Sequence, residues 1–195
     1  MNRGGKKFYI TFIDDYSKYT RVYLLRIKDE VIKMFLTYKN EVENQLNKKI
    51  KRLRTYKGGE YESNDFNSFC RDHGVQHDTI PPYSPQSNGV AERKNKTLKE
   101  MVNAMLISSG ALFVGEAMLL ACYIQNIISF KKTGKTPYEL WKGHVTNLKY
   151  IKVRGCFAKV TIPEPKRKRL GPRTVDCMFI GYAQNNAAYR FMVIK

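Results

Sequence analysis

A chain of 195 residues has room for one domain or one domain with a small appendage, and 43% hydrophobic with 12% aromatic residues excludes a disordered tail. Lys and Arg number 35 against 17 Asp and Glu, and the net charge of +18 points to a polyanionic partner, with nucleic acid first. No apolar run reaches the length of a membrane span, no Lys-rich amphipathic helix or lipidation signal suggests a membrane surface, and residues 1–7 are too polar for a secretory signal. Four scattered cysteines read as reduced thiols. An intracellular protein of the nucleus or cytoplasm is expected, not a secreted one.

The first strand is expected at residues 7–12, where Phe8, Ile10 and Phe12 alternate with Tyr9 and Thr11. Asp14-Asp15-Tyr16-Ser17 reads as a turn, and residues 21–25 as the second strand of a hairpin. Residues 29–46 carry Val31, Met34, Phe35, Tyr38, Val42 and Leu46 on one helical face. A short strand at 50–54, a loop at 56–59, a helix at 64–72 ended by Gly74, and a strand at 75–80 follow. Three prolines and Asn88-Gly89 make residues 81–89 an expected exposed loop. A long helix is expected at 90–107, buried through Leu98, Met101, Val102 and Met105, and a second at 113–128, with Leu120, Ala121, Ile124, Ile127 and Ile128 inward. Thr136-Pro137 opens a short helix. Beyond Leu148 the pattern turns to β-like runs at 157–162, 177–182 and 189–194, so a domain boundary is placed near Tyr150. This divides a core, 1–150, from a partial β domain, 151–195. The order β-β-α-β-α-β-α-α is a mixed α/β layout around a single sheet.

Four ordered stretches resemble the integrase of copia-type retrotransposon polyproteins. They are Tyr9-Ile-Thr-Phe-Ile-Asp-Asp-Tyr-Ser17, Leu53-Arg-Thr-Tyr-Lys-Gly-Gly-Glu-Tyr61, Pro82-Tyr-Ser-Pro-Gln-Ser-Asn-Gly-Val-Ala-Glu-Arg93 and Thr136-Pro-Tyr-Glu-Leu-Trp141. A fifth, Cys177-Met-Phe-Ile-Gly-Tyr182, resembles the SH3-like domain that follows the core in those polyproteins. Five matches in order and at sensible spacing carry far more weight than one short motif. The resemblance implies a ribonuclease-H-like α/β core lacking its first strand, plus a small SH3-like β domain.

It also implies a chemistry. Such integrases use Asp, Asp and Glu to hold two Mg²⁺ ions, which activate the nucleophile and stabilise the departing oxygen. Mg²⁺ prefers hard oxygen ligands, so carboxylates suit it. The family's glutamate falls on Glu92. Its second aspartate falls on Tyr56, with 35 residues between the two, the family's spacing. The first aspartate belongs on a strand preceding residue 8, and this sequence starts after it. Asp14 and Asp15 belong to the following turn and are not read as ligands. A phenol with a pKa of about 10 is neutral and a poor Mg²⁺ ligand, and one glutamate cannot hold two ions about 3.5–4 Å apart. The chain is therefore expected to bind nucleic acid without catalysing strand transfer. A domesticated DNA- or protein-binding module is the alternative, and an enzyme completed by another segment is a third possibility. Oligomerisation is expected as in the family.

Several residues have more than one reading. Lys96 and Lys99 share the helix face of Glu92 and either contact DNA ends, as in retroviral relatives, or form a solvated face with a Glu92–Lys96 pair. Lys166, Arg167, Lys168 and Arg169 form a DNA-contacting loop, a nuclear localisation signal or a solvated hairpin tip. Cys70, His73 and His77 lie close together, but zinc needs a second ligand pair that His144 alone does not supply.

Overall fold

The computed structural model describes residues 5–56, 64–80, 85–110, 113–183 and 188–194, without the side chains of 85–88. Strands β1 (Phe8–Ile13) and β2 (Thr20–Leu25) form the expected antiparallel hairpin, in the register Phe8↔Leu25 to Ile13↔Thr20. Its turn is fixed by Asp14, whose carboxylate accepts from the Ser17 amide at 2.7 Å and the Ser17 hydroxyl at 2.6 Å. Such side-chain bonds to nearby backbone are what suit Asp to turns. A 3₁₀ turn, Lys28–Glu30, leads into helix α1 (Val31–Leu46).

The hairpin has two faces. Ile10 and Phe12 pack on Phe35, Tyr38 and Val42 of α1, with the Phe12 and Tyr38 rings stacked 4.6 Å apart. Tyr9, Val22 and Leu24 pack on the other side, against Leu98, Val102, Ala117 and Ala121. Those residues belong to helices α3 (Pro85–Ser109) and α4 (Val114–Ile127). Phe35 and Leu98, both fully buried, centre the two clusters. Burial of a side chain of this size stabilises by about 1.5–3 kcal/mol.

Strand β3 (Arg52–Tyr56), helix α2 (Asn64–Asp72) and strand β4 (Gln76–Ile80) form a β-α-β unit whose strands pair in parallel, Arg52↔Gln76 to Tyr56↔Ile80. Gly74, at φ +64°, makes the left-handed bend after α2. Helix α5 (Pro137–Lys142) begins with a capping box: the Glu139 amide donates to the Thr136 hydroxyl at 3.0 Å and the Thr136 amide to the Glu139 carboxylate at 2.6 Å. Its Trp141 stacks on Tyr19, centroids 5.0 Å apart. Strands β5 (Phe157–Thr161), β6 (Thr174–Tyr182) and β7 (Tyr189–Val193) form an antiparallel sheet that packs on α4.

Four expectations need correction. The segment 81–89 is not all loop, because α3 already runs from Pro85. Proline suits a first helical turn, where an amide would have no partner anyway. Residues 81–84 lie outside the described residues. The third strand ends on Tyr56 rather than Arg54, since parallel pairing with Ile80 holds Tyr56 in the ladder. Ile128 is 55% exposed, because α4 ends at Ile127 and the next residue is extended. Finally, the strands of the core do not share one sheet: β1-β2 and β3-β4 are separate pairs.

Candidate active site and nucleic-acid interface

The end of β3 and the second turn of α3 bring together the two positions singled out by motif. The Tyr56 hydroxyl donates a hydrogen bond to the Glu92 carboxylate. Both side chains are on the surface, with Tyr56 44% exposed. Thr11 on β1 donates to the Asn95 side-chain oxygen at 3.0 Å, so α3 is fastened to the hairpin one turn beyond Glu92. Sequence reading missed Asn95, although its place three residues after Glu92 puts it on the same helical face.

The donor set does not fit a pair of divalent cations. Two metals need several carboxylates converging from different elements, and here one carboxylate faces a neutral phenol. Asp14 is committed to Ser17. Asp15 pairs with the Lys18 ammonium at 2.8 Å, which, with a lesser pull from Arg54, holds its carboxyl below the usual range. Among the described residues no group of three or more His, Cys, Asp or Glu side chains is arranged to hold a metal ion. Gly58, Gly59 and Glu60 of the second motif lie outside the described residues.

The Cys70–His77 cluster is structural. Cys70 is buried among the core side chains, and His73 bonds the Phe69 carbonyl at 2.8 Å. His77 lies between the Thr55 hydroxyl at 2.8 Å and the Asn67 side-chain oxygen at 2.9 Å. His144 contacts the Tyr138 hydroxyl at 3.2 Å.

Lys96 and Lys99 are exposed on α3, and among the described residues Glu92 and Lys96 form no ion pair. Lys94, between these positions and Glu92, is half-buried; burial pushes its ammonium below the ordinary value, and its carbonyl accepts from Gln125 at 3.0 Å. Lys166, Arg167, Lys168 and Arg169 are all exposed in the β5–β6 connection, where the Arg167 guanidinium donates to the Ile162 carbonyl at 2.6 Å.

Residues 1–85 match the integrase core domain family and residues 156–195 the retroviral polymerase SH3-like domain family. Among solved structures, the HTLV-2 integrase catalytic core domain in complex with magnesium has a TM-score of 0.55 at 22% identity, over 67% of this chain and 82% of that one. A simian T-cell lymphotropic virus intasome in complex with PP2A regulatory subunit B56 gamma has a TM-score of 0.61 at 17% identity, over 95% and 69%. The chain thus carries an integrase core of ribonuclease-H-like fold followed by a retroviral polymerase SH3-like domain.

Its sequence relatives are Pol polyproteins of copia-type retrotransposons. It is 39% identical over 190 residues to the retrovirus-related Pol polyprotein from transposon TNT 1-94 of Nicotiana tabacum, covering 96% of this chain and 14% of that polyprotein. It is 28% identical over 186 residues to the one from transposon RE2 of Arabidopsis thaliana, covering 94% and 13%. The chain therefore spans about one seventh of the length of these relatives.

Proposed function

We propose that this chain is the DNA-binding part of a retrotransposon integrase and does not itself catalyse strand transfer. The observation that carries the reading is the Tyr56–Glu92 hydrogen bond. At the two matched positions a neutral phenol replaces a carboxylate and occupies the remaining one. Assignment of Glu92 rests on the Pro82–Arg93 motif, since the family match ends at residue 85. Mg²⁺ is the cofactor of the family's reaction, and this donor set argues against its productive binding. The core is taken to end near Tyr150, ahead of the C-terminal sheet. The protein acts as a homo-oligomer in the nucleus or cytoplasm.

DNA contact is assigned to the positive charge. Lys96 and Lys99 face DNA ends beside Glu92, and Lys166, Arg167, Lys168 and Arg169 contact phosphate. None of these stretches is built to read bases, so contacts go mainly to the backbone. Phosphate neutralisation releases counterions, so affinity falls by about 10³–10⁵ between 50 and 200 mM salt when six to ten phosphates are contacted.

The experiment combines two measurements on one preparation. Linear DNA ends incubated with Mg²⁺ or Mn²⁺ should show no 3′ processing or joining. Salt titration of binding to two unrelated duplexes should give equal, steep slopes. Metal-dependent joining that disappears in Glu92→Gln would refute the catalytic part, and a flat salt dependence or strong preference for one duplex the binding part.

A further inference from the structure

A cleft of about 150 Å³ lies where the hairpin, α4, α5 and the end of β6 meet. Each of these elements contributes one tyrosine: Tyr19 at the entry to β2, Tyr123 on α4, Tyr138 on α5 and Tyr182 on β6. The Tyr19 and Tyr138 rings are 6.4 Å apart, and those of Tyr123 and Tyr182 are 5.0 Å apart. All four are half-buried, so the cleft is open to solvent.

Two of the phenols are engaged and two are not. The Tyr182 hydroxyl donates to the Tyr150 carbonyl at 3.2 Å and accepts from the Lys152 amide at 2.8 Å, and the Tyr138 hydroxyl lies 3.2 Å from His144 Nε2. The hydroxyls of Tyr19 and Tyr123 make no hydrogen bond among the described residues. Burial raises the pKa of both, so both stay protonated and able to donate. A phenol in such a place normally finds a partner for its O–H.

Size and charge narrow the occupant. A cavity of about 150 Å³ takes one benzene-sized ring, which admits a six-membered ring and leaves no room for a fused purine. A phenylalanine side chain would fit but would leave both phenols unmatched. A ring with carbonyl oxygens at its edge matches them, and thymine and uracil are such rings. Four tyrosine faces also attract a methylated ammonium. Here, however, the carboxylate of the lining, Glu116, is already held by Arg190 at 2.6 Å. The cation of the lining is Arg21, 35% exposed and only 3.4 Å from its partner Glu41, and its charge reaches Lys142. An arginine so placed has further donors for a phosphate.

We propose that this cleft binds one unpaired pyrimidine of the thymine or uracil type, presented by a single strand. The tyrosine rings stack on the base, the Tyr19 and Tyr123 hydroxyls donate to its carbonyl oxygens, and Arg21 meets the adjoining phosphate. The choice of nucleic acid rests on the DNA-binding reading above, to which the cleft adds a base preference that phosphate contacts do not give.

The test compares oligothymidylate, oligouridylate, oligoadenylate and an abasic strand of the same length, which carry the same phosphates, on the whole chain. Oligothymidylate should bind at least about tenfold more tightly than the abasic strand, the weight of one stacked base. Oligoadenylate should bind like the abasic strand. Either order of oligothymidylate and oligouridylate supports the site and says which nucleic acid supplies the base. Trp141, the only tryptophan of the chain, stacks on Tyr19, so its emission should change with the pyrimidine strands and not with the abasic one. Tyr123→Phe keeps the ring and removes the donor, and should cut the ratio of oligothymidylate to abasic affinity about threefold or more. The comparison of strands holds even if that variant folds poorly. Equal binding of all strands with duplex binding intact would overturn this site and leave the DNA-binding reading standing, whereas failure of every strand and duplex would overturn both. An unchanged ratio in Tyr123→Phe, preference for oligoadenylate, or a tryptophan response to tetramethylammonium or to an acidic phenylalanine peptide in place of the pyrimidine strands would also overturn it.

Discussion

Two seams cross this molecule, and they are closed to different degrees. The first joins α3 and α4 to the C-terminal sheet. There Arg190 of β7 places one guanidinium nitrogen 2.7 and 2.6 Å from the two carboxylate oxygens of Glu116, whose side chain is 5% exposed. Tyr123 and Tyr182 meet at 5.0 Å, and the backbone of Gly155 runs against Ser109 so closely that a Cβ would lie 2.8 Å from the serine Cβ. The second seam lies between β1 and β3, with α1 on one side of it and α3 on the other. Side chains can close the first seam because it joins surfaces whose backbone bonds are already made within each element. They cannot close the second, because a strand edge presents backbone amides and carbonyls at a fixed spacing that only another strand matches. Charge complementarity joins packed surfaces, whereas a sheet is completed by main chain.

Breaking the closed seam tests this most severely. Glu116→Gln leaves the Arg190 guanidinium, 20% exposed, without its counter-charge. Loss of one partner of a buried pair costs about 3 kcal/mol, because the remaining charge stays desolvated. Urea unfolding should show that loss, while Glu92→Gln, at an exposed carboxylate, changes stability by less than about 0.5 kcal/mol. Equal effects would mean that Glu116 and Arg190 do not hold the seam. Gly155→Ala is next in size. Its φ of +89° disfavours any Cβ, and the Cβ would also collide with Ser109. A cost of about 1–2 kcal/mol follows from the left-handed backbone, with more from the contact. Gly134→Ala serves as the reference, since Gly134 has φ +67° and open space around it. The excess of Gly155 over Gly134 in thermal unfolding measures how tightly the seam is packed, and no excess would mean that it is loose.

What could be read from the sequence follows the same division. Elements fixed by local chemistry were legible: the hairpin with its Asp-Asp turn, the helix 64–72 ended by Gly74, the short helix opened by Thr136-Pro137 and the three C-terminal strands. Motif spacing, a one-dimensional signal, singled out Glu92 and Tyr56, and the structure brings them into contact. The start of α3 was not, since three prolines and Asn-Gly read locally as loop while the backbone from Pro85 onward is helical. The first seam was not legible, whereas the second follows from the resemblance, which implies a core lacking its first strand. Glu116 and Arg190 are 74 residues apart, with nothing in either segment to name the other. Periodicity shows that a strand has two faces but not which of its edges finds a partner.

His77 gives the smallest effect and tests the far side of the open seam. On β4 it bridges Thr55 of β3 and Asn67 of α2 through its two ring nitrogens. Burial lowers its pKa from the ordinary 6.5, with Asp78 opposing part of the shift. The native state therefore binds fewer protons at this site than the unfolded chain does, and stability rises with pH wherever the unfolded state is the more protonated. The contribution is complete above 6.5 and declines as pH falls from 6.5 towards the lower native value. Protonation makes both ring nitrogens donors, so His77 keeps bonds only to oxygens that can still accept. Urea unfolding on both sides of that pH should show His77→Gln with a shallower loss on acidification than the unsubstituted chain. The other histidines and the carboxylates contribute to both proteins and cancel in the difference. Identical slopes would mean that His77 titrates alike in the folded and unfolded chains, and that the β3–β4 pair rests on its backbone ladder alone.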